Sequence, residues 1–185
     1  MTSTNESQTT VAVIAEQHVE LRRLMDSVAA GTAEESSQSF DRLVRLMAVH
    51  ETAEEMVVYP AIRKMGEQGR RIADARSVEE DVAKRVLAKL EGMDRTSSEF
   101  QLAFLEFRAD VEGHAASEEA EVFPLLSKVR DDEPTMRKVF MLVEQLAPTH
   151  AHRLAPESAL GNLLVGPFVS IVDRTRDAIR DMLAD

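Results

Sequence analysis

Apolar residues recur at three- and four-residue spacing through most of the chain, the period of helices with one buried face. The first such stretch is predicted from about Val11 to Ala30, with Thr10 as a plausible N-cap. Its stripe is Val11, Ile14, Leu21, Met25 and Val28, with His18 among them, and Gly31 ends it. A second helix opens at Ser36 to Ser39 and carries Phe40, Leu43, Val44, Met47, His50, Glu54 and Val57 on or near one face. Pro60 and Gly66 close or kink it. A third spans roughly Arg70 to Gly92 with Ile72, Ala75, Val82, Val86 and Leu90 as its stripe. Thr96-Ser97-Ser98-Glu99 reads as a capping box for a fourth helix, which carries Leu102, Ala103, Leu105, Phe107 and Val111 and ends near Val129. Four amphipathic helices with short connections predict an all-α, up-down-up-down four-helix bundle. Asp132-Glu133-Pro134 begins a shorter helix through Leu146, Ala147 to Gly161 reads as a loop, and Gly166-Pro167 opens a last helix. The expected division is a disordered tail over 1–10, a bundle over 11–130 and a helical C-terminal extension over 131–185.

One segment occurs twice. His50-Glu51-Thr52-Ala53-Glu54-Glu55-Met56-Val57-Val58-Tyr59-Pro60 is matched by His114-Ala115-Ala116-Ser117-Glu118-Glu119-Ala120-Glu121-Val122-Phe123-Pro124, with His, Glu, Glu, Val, aromatic and Pro at identical offsets. A spacing of four puts His and Glu one turn apart on one helical face. Each copy therefore offers a nitrogen and an oxygen to one centre, and two facing copies could hold two ions. The two-helix halves read as a repeat of one unit.

His18, His50, Glu54, His114 and Glu118 all fall on stripes predicted to face the core. One such residue would read as a hydrogen-bonded core histidine. Five are harder to account for, because a buried ionised carboxylate costs several kcal/mol unless compensated. No Lys or Arg is expected on those stripes at matching depth. Metal ions are the economical compensation, and imidazole with carboxylate suits iron or manganese. The third helix offers two acids. Glu80 has Ala83, Val86, Leu87 and Leu90 at the offsets where His18 has Leu21, Leu24, Met25 and Val28, whereas Glu79 lies nearer the middle of its stripe. Glu80 is taken as the ligand, with Glu79 as the rival and a Ser77-x-x-Glu80 cap as the alternative use of Glu80. Glu55 and Glu119 are expected to face solvent or a neighbouring helix, and Glu121 to be a partly exposed charge, with a third site-facing acid as its alternative role. Tyr59 is expected to pack in the core, and His150 and His152 to be solvated. Asp173-Arg174-Thr175-Arg176-Asp177 reads as an exposed, salt-bridged face.

Composition narrows the classes. There is no Cys, hence no disulfide frame or thiolate site, and the net charge of −11 disfavours a phosphate-backbone partner. No apolar run approaches the ~18 residues of a membrane span, and the first ten residues do not form a secretory signal. A soluble cytoplasmic protein with no nucleic acid or membrane partner is the expectation.

The order of a single His, His-x-x-x-Glu, a single ligand and again His-x-x-x-Glu-Glu with an aromatic-Pro pair resembles the hemerythrin-like HHE cation-binding domains over about Val11 to Arg130. The tail looks like the C-terminal extension of actinobacterial members. The resemblance implies a non-haem centre of two iron ions, oxo- or hydroxo-bridged. His18, His50 and His114 would be terminal ligands, Glu54 and Glu118 would bridge, and Glu80 would stand where most members have a His. Oxygen-carrying hemerythrins use a His-x-x-x-His pair on the third helix and an Asp on the fourth. This chain has no His there, which weighs against reversible oxygen carriage.

Family members are associated with oxygen, peroxide, nitric oxide and iron handling. The resemblance thus implies an H2O2, NO or O2 ligand and catalase-like or otherwise protective turnover. The alternative is an oxygen- or iron-sensing module whose partner reads the extension. That extension should pack across the bundle or against another copy of the chain, as a homodimer.

Overall fold

The computed structural model describes residues 9–146 and 168–184, and those residues are helical apart from short turns. Most of the N-terminal tail, the loop after Leu146, Gly166-Pro167, His150 and His152 lie outside the described residues. Helix α1 is Thr10–Ala30, capped by the Thr9 side chain one residue earlier than expected. Helix α2 is Ala33–Ala53; it continues through a π-helical turn, Glu54–Val58, into Tyr59–Arg63. Helix α3 is Glu67–Glu91. Helix α4 is Ser98–Ser117, continuing through a second π turn, Glu118–Val122, into Phe123–Leu126. Helices α5, Glu133–Leu146, and α6, Phe168–Ala184, form the extension.

Several boundaries differ from the periodic reading. The second helix begins at Ala33, before the Ser run, because Thr32 and Glu35 form a reciprocal capping box there. The cap of α4 is Ser97, whose hydroxyl accepts from the Phe100 N–H at 3.1 Å, so the Thr96/Glu99 box does not form. Pro60 neither ends nor breaks its helix. A proline cannot donate to the carbonyl four residues back and its ring crowds that carbonyl. The preceding turn adopts the wider register, with the Tyr59 N–H donating to the Glu54 carbonyl, five residues back. Phe123 does the same to Glu118 ahead of Pro124. The repeated motif thus produces a repeated π turn. At the α2–α3 connection Gly66 has φ of 99°, a conformation that favours glycine.

The bundle core is built from Ile14, Leu21, Leu24 and Met25 of α1, Phe40, Leu43 and Met47 of α2, Ile72, Leu87 and Leu90 of α3, and Phe100, Phe104, Phe107 and Val111 of α4. Phe40 sits edge-on to Phe100 at 5.4 Å, and Phe100 stacks on Phe104 at 5.8 Å. The expected stripes of α3 and α4 are rotated. Val82 is 41% exposed and Leu102 and Leu105 lie outside, because the phenylalanines take the inner face of α4. The extension packs on the bundle. Helix α5 lies against α1 and α2, and α6 lies chiefly along α2. The inner face of α6 is Phe168, Ile171, Val172 and Ile179, and the Glu91 carboxylate accepts from the Phe168 N–H at 3.1 Å. Asp173 is exposed, with Arg176 at 3.9 Å, as the charge alternation predicts, but Thr175 between them is buried.

Phe104→Ala removes a fully buried ring at the centre of the aromatic cluster. It should lower unfolding stability by about 3–5 kcal/mol in a urea titration.

Candidate metal centre

Four helices converge on one buried cluster of imidazoles and carboxylates. Helix α1 supplies His18. Helix α2 supplies His50 and, at the start of its π turn, Glu54. Helix α3 supplies Glu80. Helix α4 supplies His114 and, at the start of its own π turn, Glu118. These side chains fall into two groups, His18, His50, Glu54 and Glu118, and Glu54, Glu80, His114 and Glu118. Within each group one ligand-type atom from every residue lies within 4.8 Å of the others. Glu54 and Glu118 belong to both groups. All six sequence-predicted residues are therefore brought together, in the half-and-half arrangement that the repeat anticipates.

The orientation of the donors is specific. Each imidazole has its Nδ1 engaged from behind. His18 Nδ1 is 3.0 Å from Glu119 Oε1, His50 Nδ1 is 2.8 Å from Gln17 Oε1, and His114 Nδ1 is 2.9 Å from Glu79 Oε2. That leaves Nε2 of each ring turned inward, at 3.2 Å from Glu118 for His18, 3.3 Å from Glu54 for His50 and 3.6 Å from Glu118 for His114. His18 Nε2, His114 Nε2, Glu54 Oε2 and Glu118 Oε2 are buried and make no hydrogen bond. Buried polar atoms are nearly always satisfied. Four unsatisfied ones aimed at a common centre fit coordination of a cation, and the outward hydrogen bonds of the imidazoles are the support that metal-ligating histidines carry.

Glu79 and Glu80 separate cleanly. Glu80 lies inside the cluster, whereas Glu79 stands behind His114 and is held by Arg76 at 2.7 Å. Glu121 is half-exposed and 4.0 Å from Arg76. Glu119 faces α1, bridging His18 and Arg22, and Glu55 faces Lys84 and Arg176. Two expectations are corrected. Tyr59 is fully buried, but its hydroxyl lies among the acids, in contact with Glu80 and 2.9 Å from Glu118. A cation does reach the acidic region: Lys84, 18% exposed, contacts Glu55 and lies 3.4 Å from Glu80 and 3.9 Å from Glu51. Lys84 is four residues after Glu80 and shares its face, a signal the sequence carried. Gln17 was missed altogether. Helix α1 is covered by α2, α4 and α5, so adjacent residues 17 and 18 are both buried. Gln17 also donates to Glu144 Oε1 of α5 at 3.3 Å, which links the extension to His50.

Burial dominates the protonation of the cluster. It pushes His50 down to about 3, aided by the nearby His18. Burial also raises Glu54, with Glu118 and Glu80 adding repulsion, and raises Glu80, with Glu51 adding repulsion. Glu51 is raised to about 8 by burial in spite of Lys84. Glu118 goes the other way, to about 2. Burial raises it, but the His18 contact and the surrounding imidazoles outweigh burial.

A family model described as the hemerythrin HHE cation binding domain matches residues 9–126. The chain belongs to the hemerythrin HHE cation-binding domain family. A hemerythrin-like protein of Schizosaccharomyces pombe is 31% identical over 134 residues, 71% of this chain; the match spans 66% of that protein, just under two thirds of its length. The fold is similar to the crystal structure of a hemerythrin HHE cation binding domain-containing protein from Mycobacterium kansasii. The TM-score is 0.66 at 19% identity, covering 90% of this chain and 99% of that one. The two four-residue groups could each hold a metal ion. Among the described residues no helix is long and apolar enough to cross a membrane.

Two outcomes test this centre. Gln17→Leu removes the acceptor of His50 Nδ1–H and should weaken metal affinity about 10–100-fold in a chelator competition. In chelator-treated protein, Glu51 keeps its proton up to about pH 8, and Glu54 and Glu80 are also raised, whereas unfolded Glu residues titrate near 4.5. The folded state then binds more protons, so stability falls as pH rises from 6.5 to 8. The slope is about 1.4 kcal/mol per pH unit for each carboxyl still protonated. His50 acts with the opposite sign, but only between about 3 and its ordinary 6.5. Urea titrations across the window read the slope.

Proposed function

We propose that this HHE domain holds two iron ions and uses them to bind and turn over a small oxidant, hydrogen peroxide first, in a protective, catalase-like role. The observation that carries the reading is the pair of four-residue groups sharing Glu54 and Glu118. His18 and His50 would complete one position, and His114 and Glu80 the other. Three imidazoles and three carboxylates form a borderline-to-hard donor set, suited to iron or manganese rather than to a thiophilic metal. Two adjacent redox ions, when bound, supply the two-electron exchange that peroxide or nitric oxide chemistry requires.

The chain's own residues do the rest. Glu119, Gln17 and Glu79 fix which imidazole nitrogen faces inward. The Tyr59 hydroxyl, between Glu80 and Glu118, can hold a proton within the site, and protonated Glu51 can hold another on the wall of the adjoining cavity. The Lys84 ammonium offsets part of the carboxylate charge on the Glu80 side.

A sensing role is the second reading. It is favoured by the Glu144–Gln17–His50 link, through which a change at His50 would reach α5.

Iron-supplied protein should purify with a pair of iron ions per chain and release oxygen from added peroxide. Glu54→Ala and His114→Ala should lower that release by at least about 100-fold. A protein that stays iron-free, or full turnover in both variants, would overturn the proposal. Iron-dependent change in hydrogen exchange of α5 without turnover would move the assignment to sensing.

A further inference from the structure

A cavity of about 460 Å³ opens between α3 and α4 and ends on the cluster. Its floor carries His18, His50, Glu80 and His114, and its walls carry Val78, Val82 and Ala83 of α3 with Ala109 and Val111 of α4. Water claims about 30 Å³ in the liquid, so this space holds roughly fifteen waters, far more than a two-atom ligand fills. It lies within the range of about 300–1,000 Å³ typical of small organic ligands, and its lining is mostly apolar with a few polar groups, as in such sites. The apolar walls continue to the surface, where Val78 is 63% exposed.

Gly113 supplies an independent observation. It sits inside α4, where glycine costs about 0.5–1 kcal/mol relative to alanine, and it lines the cavity. A Cβ built there would meet nothing within 4 Å, so no close approach of another segment requires the glycine. Gly113 is exposed at the rim of the cavity beside His114, so a bulky side chain there adds volume at the opening.

Charge selects among organic ligands. Among the described residues lining the cavity there is no Lys or Arg, whereas the acids Glu79 and Asp110 are present. An anion passing this lining is repelled. A cation would be repelled by metal ions held by His18, His50, Glu80 and His114 at the floor. A neutral molecule with an apolar body and an oxygen head meets neither penalty.

We propose that the cavity binds neutral organic hydroperoxides with a compact branched or aryl body, oxygen end at the cluster and apolar end between α3 and α4. The proposal rests on the oxidant-handling reading of the metal centre and names its substrate class.

The test titrates the full, iron-supplied chain with 2-phenyl-2-propanol, the unreactive alcohol counterpart of cumene hydroperoxide, by calorimetry, with iron measured on the same sample. Saturable binding is expected, weakened at least about tenfold in Gly113→Leu. Val82→Trp, on the opposite wall, should weaken it likewise and serves if Gly113→Leu does not fold. The carboxylate and amine of the same body, 2-methyl-2-phenylpropanoate and 2-phenyl-2-propylamine, should bind more weakly than the alcohol. No binding to a sample carrying its iron overturns the cavity assignment and leaves the iron reading standing. Undiminished binding in the folded variants, or tighter binding of either charged analogue, also overturns it. A chain that remains iron-free removes both.

Discussion

Negative charge concentrated where water is excluded is the constraint from which this structure follows. Glu54, Glu80 and Glu118 meet in the core with Glu51 close by, and transferring even one ionised carboxylate there costs several kcal/mol. The fold answers locally where it can. Imidazoles surround Glu118 and hold it ionised, while Lys84 serves the Glu51, Glu55 and Glu80 side. These groups do not neutralise Glu54, whose carboxyl is pushed well above the usual range by burial and by its acidic neighbours Glu118 and Glu80. A cation held there would therefore be coupled to folding through the same side chains.

The extension belongs to this economy of burial. Gln17 could not lie buried beside His18 if α1 faced water on that side. Helix α5 covers it and supplies Glu144 as a hydrogen-bond partner. Helix α6 covers α2, the helix carrying His50 and Glu54, and its Arg176 lies 3.5 Å from Glu55. The family match ends at residue 126, yet residues beyond it complete the surroundings of the metal-facing groups.

Much of this was legible in the sequence because it is periodic. The His-x-x-x-Glu repeat needs only helical geometry to put four donors in two pairs. Aligning Glu80 with His18 by the apolar residues that follow each picks out the acid that lies inside the cluster, with Glu79 behind His114. What escaped depends on how helices rotate about their axes. The phenylalanines of α4 turn Leu102 and Leu105 outward, and Val82 of α3 follows. The π turns could not be read from Pro60 and Pro124, which predict only an interruption; that the chain absorbs it by widening one turn is decided by packing on both sides. Tyr59 was placed correctly in depth but not in chemistry, since burial of the ring says nothing of where its hydroxyl ends.

The duplicated motif is not duplicated in its aromatic. In one copy Phe123 stacks on His18 at 5.8 Å, while in the other Tyr59 turns a hydroxyl toward Glu80 and Glu118. One four-residue group is thus nitrogen-richer and walled by a hydrocarbon ring, and the other is oxygen-richer and beside a hydroxyl. Two ions held there would have non-equivalent surroundings. Exchanging the two metals of a mixed pair would accordingly give two different species, because the duplicated sequence does not make a symmetric site.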